Sequence, residues 1–182
     1  MSRPLPQAVL LVDGYNIIGA WTPLMQTRDR VNLAAARLQL TQALTDYSAF
    51  QGYKTQLIFD AQYRDCPINC EIVTQNLAIY YTDFGQTADT YIEKFCALSS
   101  QNRQELPQRT IVATSDRAQQ LMVLGYGAEW MSAQQLAKEI QSVIYLLRQK
   151  QKSPEKLPGR FLADSLDPAA KKRLERLRMG LS

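Results

Sequence analysis

Ala8-Val9-Leu10-Leu11-Val12-Asp13-Gly14-Tyr15-Asn16 begins as an unbroken apolar run and ends in a carboxylate. Apolar residues without alternation read as a strand buried on both faces, and Asp13-Gly14 as the tight turn that stops it. The pattern recurs. Lys54-Thr55-Gln56-Leu57-Ile58-Phe59 runs into Asp60, and Thr110-Ile111-Val112-Ala113-Thr114-Ser115 runs into Asp116. In open α/β sheets ligands bind outside the carboxyl ends of parallel strands, where these three aspartates fall. One shared acidic site is the expectation.

Between these strands the helical signals alternate with them. Leu33, Ala36, Leu40, Ala43, Leu44 and Tyr47 have helical spacing, and Gly52 ends that helix. A loop with Trp21 and Pro23 is expected before it, and an irregular stretch with Pro67 after Asp60. Leu77 to Thr82 reads as a short strand, and residues 88 to 98 as a helix with Thr87 at its N-cap. A helix follows Asp116 until Gly125, then a brief strand at Ala128 to Met131. Ser132-x-x-Gln135 reads as a capping box opening a helix with Leu136, Ile140, Val143, Ile144 and Leu147 on one face. Alternating strands and helices predict an α/β fold, a parallel sheet covered on both sides.

With 182 residues the chain suits one well-buried domain and an appendage. The expected division is 1–148 for the domain and 149–182 for a basic linker and C-terminal helix. Gln149 to Gly159 is polar with two prolines, and Asp167-Pro168 reads as an N-cap followed by proline at the first helical position. From Arg148 onward there are ten basic residues against four acidic, so the net charge of +4 is concentrated in this tail. Such a tail beside an acidic body suits a polyanion partner, or else it only solvates the C-terminus. Within it Lys172, Arg173 and Arg176 are the candidate contacts to such a polyanion.

No run is long enough to span a bilayer, and the first residues lack the pattern of a signal peptide, so a cytoplasmic protein with no membrane partner is expected. Cys66, Cys70 and Cys96 have no framework spacing, and free thiols are the expectation. There is no histidine. That excludes Ser-His-Asp and Cys-His catalysis and imidazole acid–base chemistry. Hydrolysis here must use carboxylates, lysine or a water activated by a metal.

A fourth acid joins the three at strand ends. Asp89 falls in the first turn of the helix after Thr87, and Glu93 shares its face. Clustered carboxylates repel unless something neutralises them. A hard divalent ion, Mg2+ or Mn2+, takes oxygen ligands, keeps several waters and needs only one or two carboxylates. An aspartyl phosphatase is disfavoured by Tyr15, where a second acid belongs, and a nucleotide-binding fold by the lack of a Gly-rich loop.

Asp13-Gly14-Tyr15-Asn16, Phe59-Asp60-Ala61, Tyr81-Thr82 with Thr87-Ala88-Asp89, and Ala113-Thr114-Ser115-Asp116 together resemble the YacP-like branch of the NYN domains, relatives of the PIN nucleases. The resemblance implies a PIN-like three-layer α/β/α sandwich with a mostly parallel central sheet. It implies metal-dependent endoribonuclease activity, in one bacterial branch on messenger RNA at the ribosome, with a non-catalytic RNA- or ribosome-binding module on the same fold as the alternative. It makes Asp13, Asp89 and Asp116 the metal-binding acids, with Asn16 beside them in the catalytic set. Asp60, Glu93 and Ser115 complete the candidates as supporting polar groups.

Overall fold

The computed structural model describes residues 6–60, 70–83, 85–101 and 109–152. Contacts divide the chain into Met1–Leu146 and Leu147–Ser182, and the fold below is that of the first unit. Six strands form one sheet: β1 (Ala8–Asp13), β2 (Tyr53–Phe59), β3 (Cys70–Ile72), β4 (Leu77–Tyr81), β5 (Thr110–Ala113) and β6 (Glu129–Met131). Their order is β3-β4-β2-β1-β5-β6. All neighbours are parallel except β3 and β4. β1 lies in the middle and is buried at every residue, as its unbroken apolar run predicts.

The helices are α1 (Gly14–Ala20), α2 (Thr22–Arg30), α3 (Leu33–Gln51), α4 (Ala88–Gln101), α5 (Arg117–Gly125) and α6 (Ala133–Lys152). Successive strand residues point to opposite faces. Val9 and Leu11 of β1 pack with Ile92 and Cys96 of α4 and Val123 of α5. The alternate face, with Phe59, receives α1 and α3, and buries Ala36, Leu40, Leu44 and Tyr47. The Tyr47 hydroxyl donates to Glu139, which joins α6 to α3. Gly52 closes α3 with φ 66°, a left-handed conformation that glycine adopts without strain.

Several boundaries differ from those expected. The loop at Trp21 and Pro23 is two helices, α1 and α2. α1 is too short to show a periodic stripe, and Pro23 sits in the first turn of α2, where its missing N–H breaks no helical bond. β3, an edge strand exposed at all three residues, has no apolar alternation to reveal it. β5 stops at Ala113, because Thr114 Oγ1 accepts the Asp116 N–H and turns the chain. α4 reaches Gln101, and α6 runs to Lys152, through the start of the expected linker. Only half of the capping box forms: Ser132 Oγ accepts the Gln135 N–H, while the Gln135 side chain donates to Glu139. Cys70 and Cys96 are free thiols, as expected, and burial pushes Cys96 up to about 11. Cys66, the helix expected from Ala169, and the rest of the basic tail lie outside the described residues.

An acidic site at the carboxyl edge of the sheet

The register of the sheet assembles the site. Asp13 is level with Ile58, Phe59 with Tyr81, and Val12 with Ala113, so the chain leaves β1, β2, β4 and β5 along one edge. Asp13, Asp60 and Asp116 are there as the strand ends predict, and α4 brings Asp89 to them. The charges acting on Asp13 are those of Asp89, Asp60 and Asp116. Glu93 is not among them. Its Oε1 instead accepts from the Tyr126 hydroxyl on the exposed side of α4 and α5.

Each carboxylate is tied to the fold through one oxygen. Asp13 Oδ1 accepts the Asn16 N–H at 3.1 Å and caps α1. Asp116 Oδ1 caps α5, accepting the N–H groups of Ala118 at 2.7 Å and Gln119 at 3.0 Å. Asp60 reaches across to accept the Ala88 N–H, the first of α4. These donors are the unsatisfied amides at helix N-termini, whose partial positive charge partly offsets the repulsion among the acids. Asp89 Oδ1 accepts from Gln119 Nε2 at 2.6 Å.

The offset is incomplete at Asp13. It is buried, and desolvation first, then the three neighbouring carboxylates, push its carboxyl up to about 6 despite the Asn16 hydrogen bond. Burial, with Asp116 and Asp60, also raises Asp89. Burial first and neighbouring carboxylates second disfavour the charged forms of Asp13 and Asp89, a cost that a bound cation would relieve.

Two residues organise the cluster. Asn16 Oδ1 accepts the Ser115 N–H at 2.6 Å, so the turn after β1 holds the turn after β5. Ser115 thus takes part through its backbone. Gln119, absent from the sequence-based set, is buried, joins Asp89 through its side chain and Asp116 through its N–H, and leaves Oε1 buried with no partner. Its only signal in the sequence is its place three residues after Asp116, at a polar position within a helix.

Beside the acids an aromatic wall fixes α1. The Phe59 ring lies 4.9 Å from Tyr15 and 6.0 Å from Tyr81 between centroids. Arg37 stands 6.0 Å over Phe59 and donates to the Tyr15 hydroxyl at 3.4 Å. A Cβ at Gly14 would come within 2.2 Å of the Phe59 ring. Glycine after Asp13 is therefore a matter of space, and it lets the Asp13 turn sit down on the sheet.

The donor set is all oxygen, which suits a hard divalent ion. Among the described residues no three His, Cys, Asp or Glu side chains stand close enough to hold an ion jointly. Mg2+ retains most of its waters and binds through one or two carboxylates, so the set fits a hydrated ion rather than a closed cage. No helix among the described residues is long and apolar enough to cross a membrane.

Residues 10–179 match the family model described as the YacP-like NYN domain. The uncharacterised protein YacP of Bacillus subtilis is 31% identical over 135 residues, covering 74% of this chain and 76% of its own. Two crystal structures of Rae1 (YacP) from Bacillus subtilis are similar to this fold. One has a TM-score of 0.65 at 29% identity, covering 94% of this chain and 95% of its own. The other, of a tryptophan-to-leucine mutant, has a TM-score of 0.66 at 25% identity, covering 93% and 99%. The sheet order and paired helical layers are those of the PIN-like α/β/α sandwich.

Proposed function

The chain belongs to the YacP-like NYN domain family, and from that premise we propose that it is a divalent-metal-dependent endoribonuclease. The observation that carries the reading is the set of four aspartates at one sheet edge, each anchored through a single oxygen, with Asp13 raised by burial and by the charges of the other three. Asp13, Asp89 and Asp116 are the candidate holders of Mg2+ or Mn2+, one or two of them binding a hydrated ion directly and the rest acting through its waters. When bound, the ion supplies Lewis-acid stabilisation of the phosphoryl transition state and eases deprotonation of the attacking water.

The protein's own groups do the rest. Asp60 holds the first amide of α4 and so sets the position of Asp89, one residue on. Gln119 orients Asp89, and Asn16 locks the Asp116 turn against the Asp13 turn while keeping its Nδ2 hydrogens as donors toward an RNA phosphate. The reaction needs no histidine, and the chain has none. The substrate in this reading is messenger RNA met at the ribosome in the cytoplasm, as the family likeness implies. The surplus of basic residues after Arg148 supports a polyanion, with Lys172, Arg173 and Arg176 as its contacts.

The test is incubation of the full-length protein with end-labelled RNA in Mn2+, in Mg2+ and in chelator. Internal cleavage that needs the ion and falls by orders of magnitude in Asp13→Asn and Asp89→Asn is the expected result. Cleavage that persists in chelator, or in both variants, would overturn it. RNA binding with no cleavage in either ion would leave a binding module.

A further inference from the structure

An open pocket of about 420 Å³ lies next to the acids, past the carboxyl ends of β5 and β6, lined by Ser115, Arg117, Gln120, Leu121, Trp130, Ser132 and Gln134. The acidic cluster does not use it. Ser115 is its border with the site, because the same residue gives its N–H to Asn16. The volume falls within the roughly 300–1,000 Å³ typical of small-ligand sites.

Its lining is selective in chemistry. The Trp130 indole N–H is committed to the Thr114 carbonyl at 2.9 Å, so the ring is held in place and presents carbon to the cavity. Arg117, next to Asp116, is exposed and in no ion pair among the described residues. It is the first residue of α5, whose leading amides Asp116 already caps, so the guanidinium of Arg117 is the group in the lining that favours an anion. Ser132 accepts with its oxygen and keeps its hydroxyl hydrogen to donate, while Gln120 and Gln134 carry amides that both donate and accept. A fixed aromatic ring, a guanidinium and several amides are what an unstacked base with its phosphate requires.

We propose that this cavity is a nucleotide subsite. It seats one base of single-stranded RNA against Trp130, with the adjoining phosphate on Arg117, and so places the neighbouring phosphodiester over Asp13, Asp89 and Asp116. The inference rests on the RNA-cleaving reading and names where that substrate is held.

Trp21 and Trp130 are the two tryptophans of the chain, so Trp21→Phe leaves Trp130 as the reporter. The full-length Trp21→Phe protein is titrated in chelator with hexaadenylate and with hexauridylate, and separately with inorganic phosphate. Saturable quenching of Trp130 by the oligonucleotides, with a Kd weakened about tenfold when Arg117→Gln is added, is the expected result. A silent Trp130, an unchanged Kd in Arg117→Gln, or an equal response to phosphate alone would overturn the subsite. The two readings fail separately. Manganese-dependent cleavage with a silent Trp130 defeats only the subsite, whereas quenching without cleavage by the parent protein defeats only the nuclease.

Discussion

The side-chain oxygen of Asn16 accepts the backbone N–H of Ser115 at 2.6 Å. This bond spans 99 residues of chain and pins the turn after β1 to the turn after β5, so one residue ties the Asp13 turn to the turn that carries Asp116. Asn16 therefore acts on a distant turn through its side chain, while its own N–H serves Asp13.

Asn16→Ala leaves the Ser115 N–H to water. Since Ser115 is exposed, the expected stability loss is about 1 kcal/mol, read as a fall of a few degrees in Tm. Cleavage should fall by tenfold or more, because Asp116 is no longer registered against Asp13. Asn16→Asp keeps the acceptor and adds a fifth charge. Its Tm should drop in chelator and recover with Mg2+. A Tm indifferent to Mg2+ would show that the added charge does not reach the ion.

Asp13 contributes a pH dependence to the stability of the metal-free protein. Its carboxyl stands at about 6 in the folded state against 3.8 in the unfolded chain. Between those values the folded state binds more protons, so stability falls as pH rises from about 4 to 6. Above 6 the charged form costs on the order of 3 kcal/mol. Asn is as good an N-cap as Asp. Asp13→Asn should therefore keep α1 capped, raise Tm at pH 7 by several degrees and flatten the acid-side slope, while abolishing cleavage. Melting curves from pH 4 to 8 in chelator check this, and a variant that melts lower at pH 7 contradicts it.

What the sequence disclosed followed from what each signal depends on. β1 and the strand-end aspartates were legible because burial on both faces requires an unbroken apolar run, and the carboxylate marks where it stops. Asp89 was legible from its place in the first turn of α4. The anchoring of these acids was not, since Gln119 to Asp89 and Asn16 to Ser115 join residues 30 and 99 apart, and neither spacing has a local period. Glu93 shares a helix face with Asp89 yet bonds Tyr126, because a face one turn along α4 has already left the sheet edge. β3 and α1 were hidden by exposure and by shortness.

Gly14 is a packing requirement. A Cβ there meets three Phe59 ring atoms between 2.2 and 2.8 Å, and Phe59 is fully buried between Tyr15 and Tyr81. Gly14→Ala should cost about 1–3 kcal/mol or more and should lower activity by shifting the Asp13 turn. Urea unfolding of the variant gives the number. A loss under about 0.5 kcal/mol, the range of surface substitutions, would mean that the ring yields freely.

The basic tail is expected to bind and not to react. Deleting the residues after Leu166 removes Lys172, Arg173 and Arg176. The salt dependence of RNA affinity should flatten, each lost phosphate contact lowering the slope by about 0.7 for a single strand. Single-turnover cleavage at saturating RNA should stay near that of the full chain. Loss of cleavage at saturation, with the fold intact by circular dichroism, would place the tail in the active site.

Gln119 separates function from stability most sharply. Its Nε2 holds Asp89 at 2.6 Å while its Oε1 is buried without a partner, and a buried acceptor left unmade costs about 1–3 kcal/mol. Gln119→Leu removes that orphan together with the donor, and Asp89, being exposed, can turn to water. Stability should therefore hold or rise, whereas Asp89 loses the bond that orients it and kcat should fall by about tenfold or more. Gln119→Glu keeps the shape, replaces the donor with a charge against Asp89, and should lower both stability and kcat in low Mg2+. Chemical denaturation paired with the Mg2+ dependence of cleavage reads these effects independently. A Leu variant that cleaves like the parent would remove Gln119 from the site and leave its orphan oxygen as a packing defect of α5.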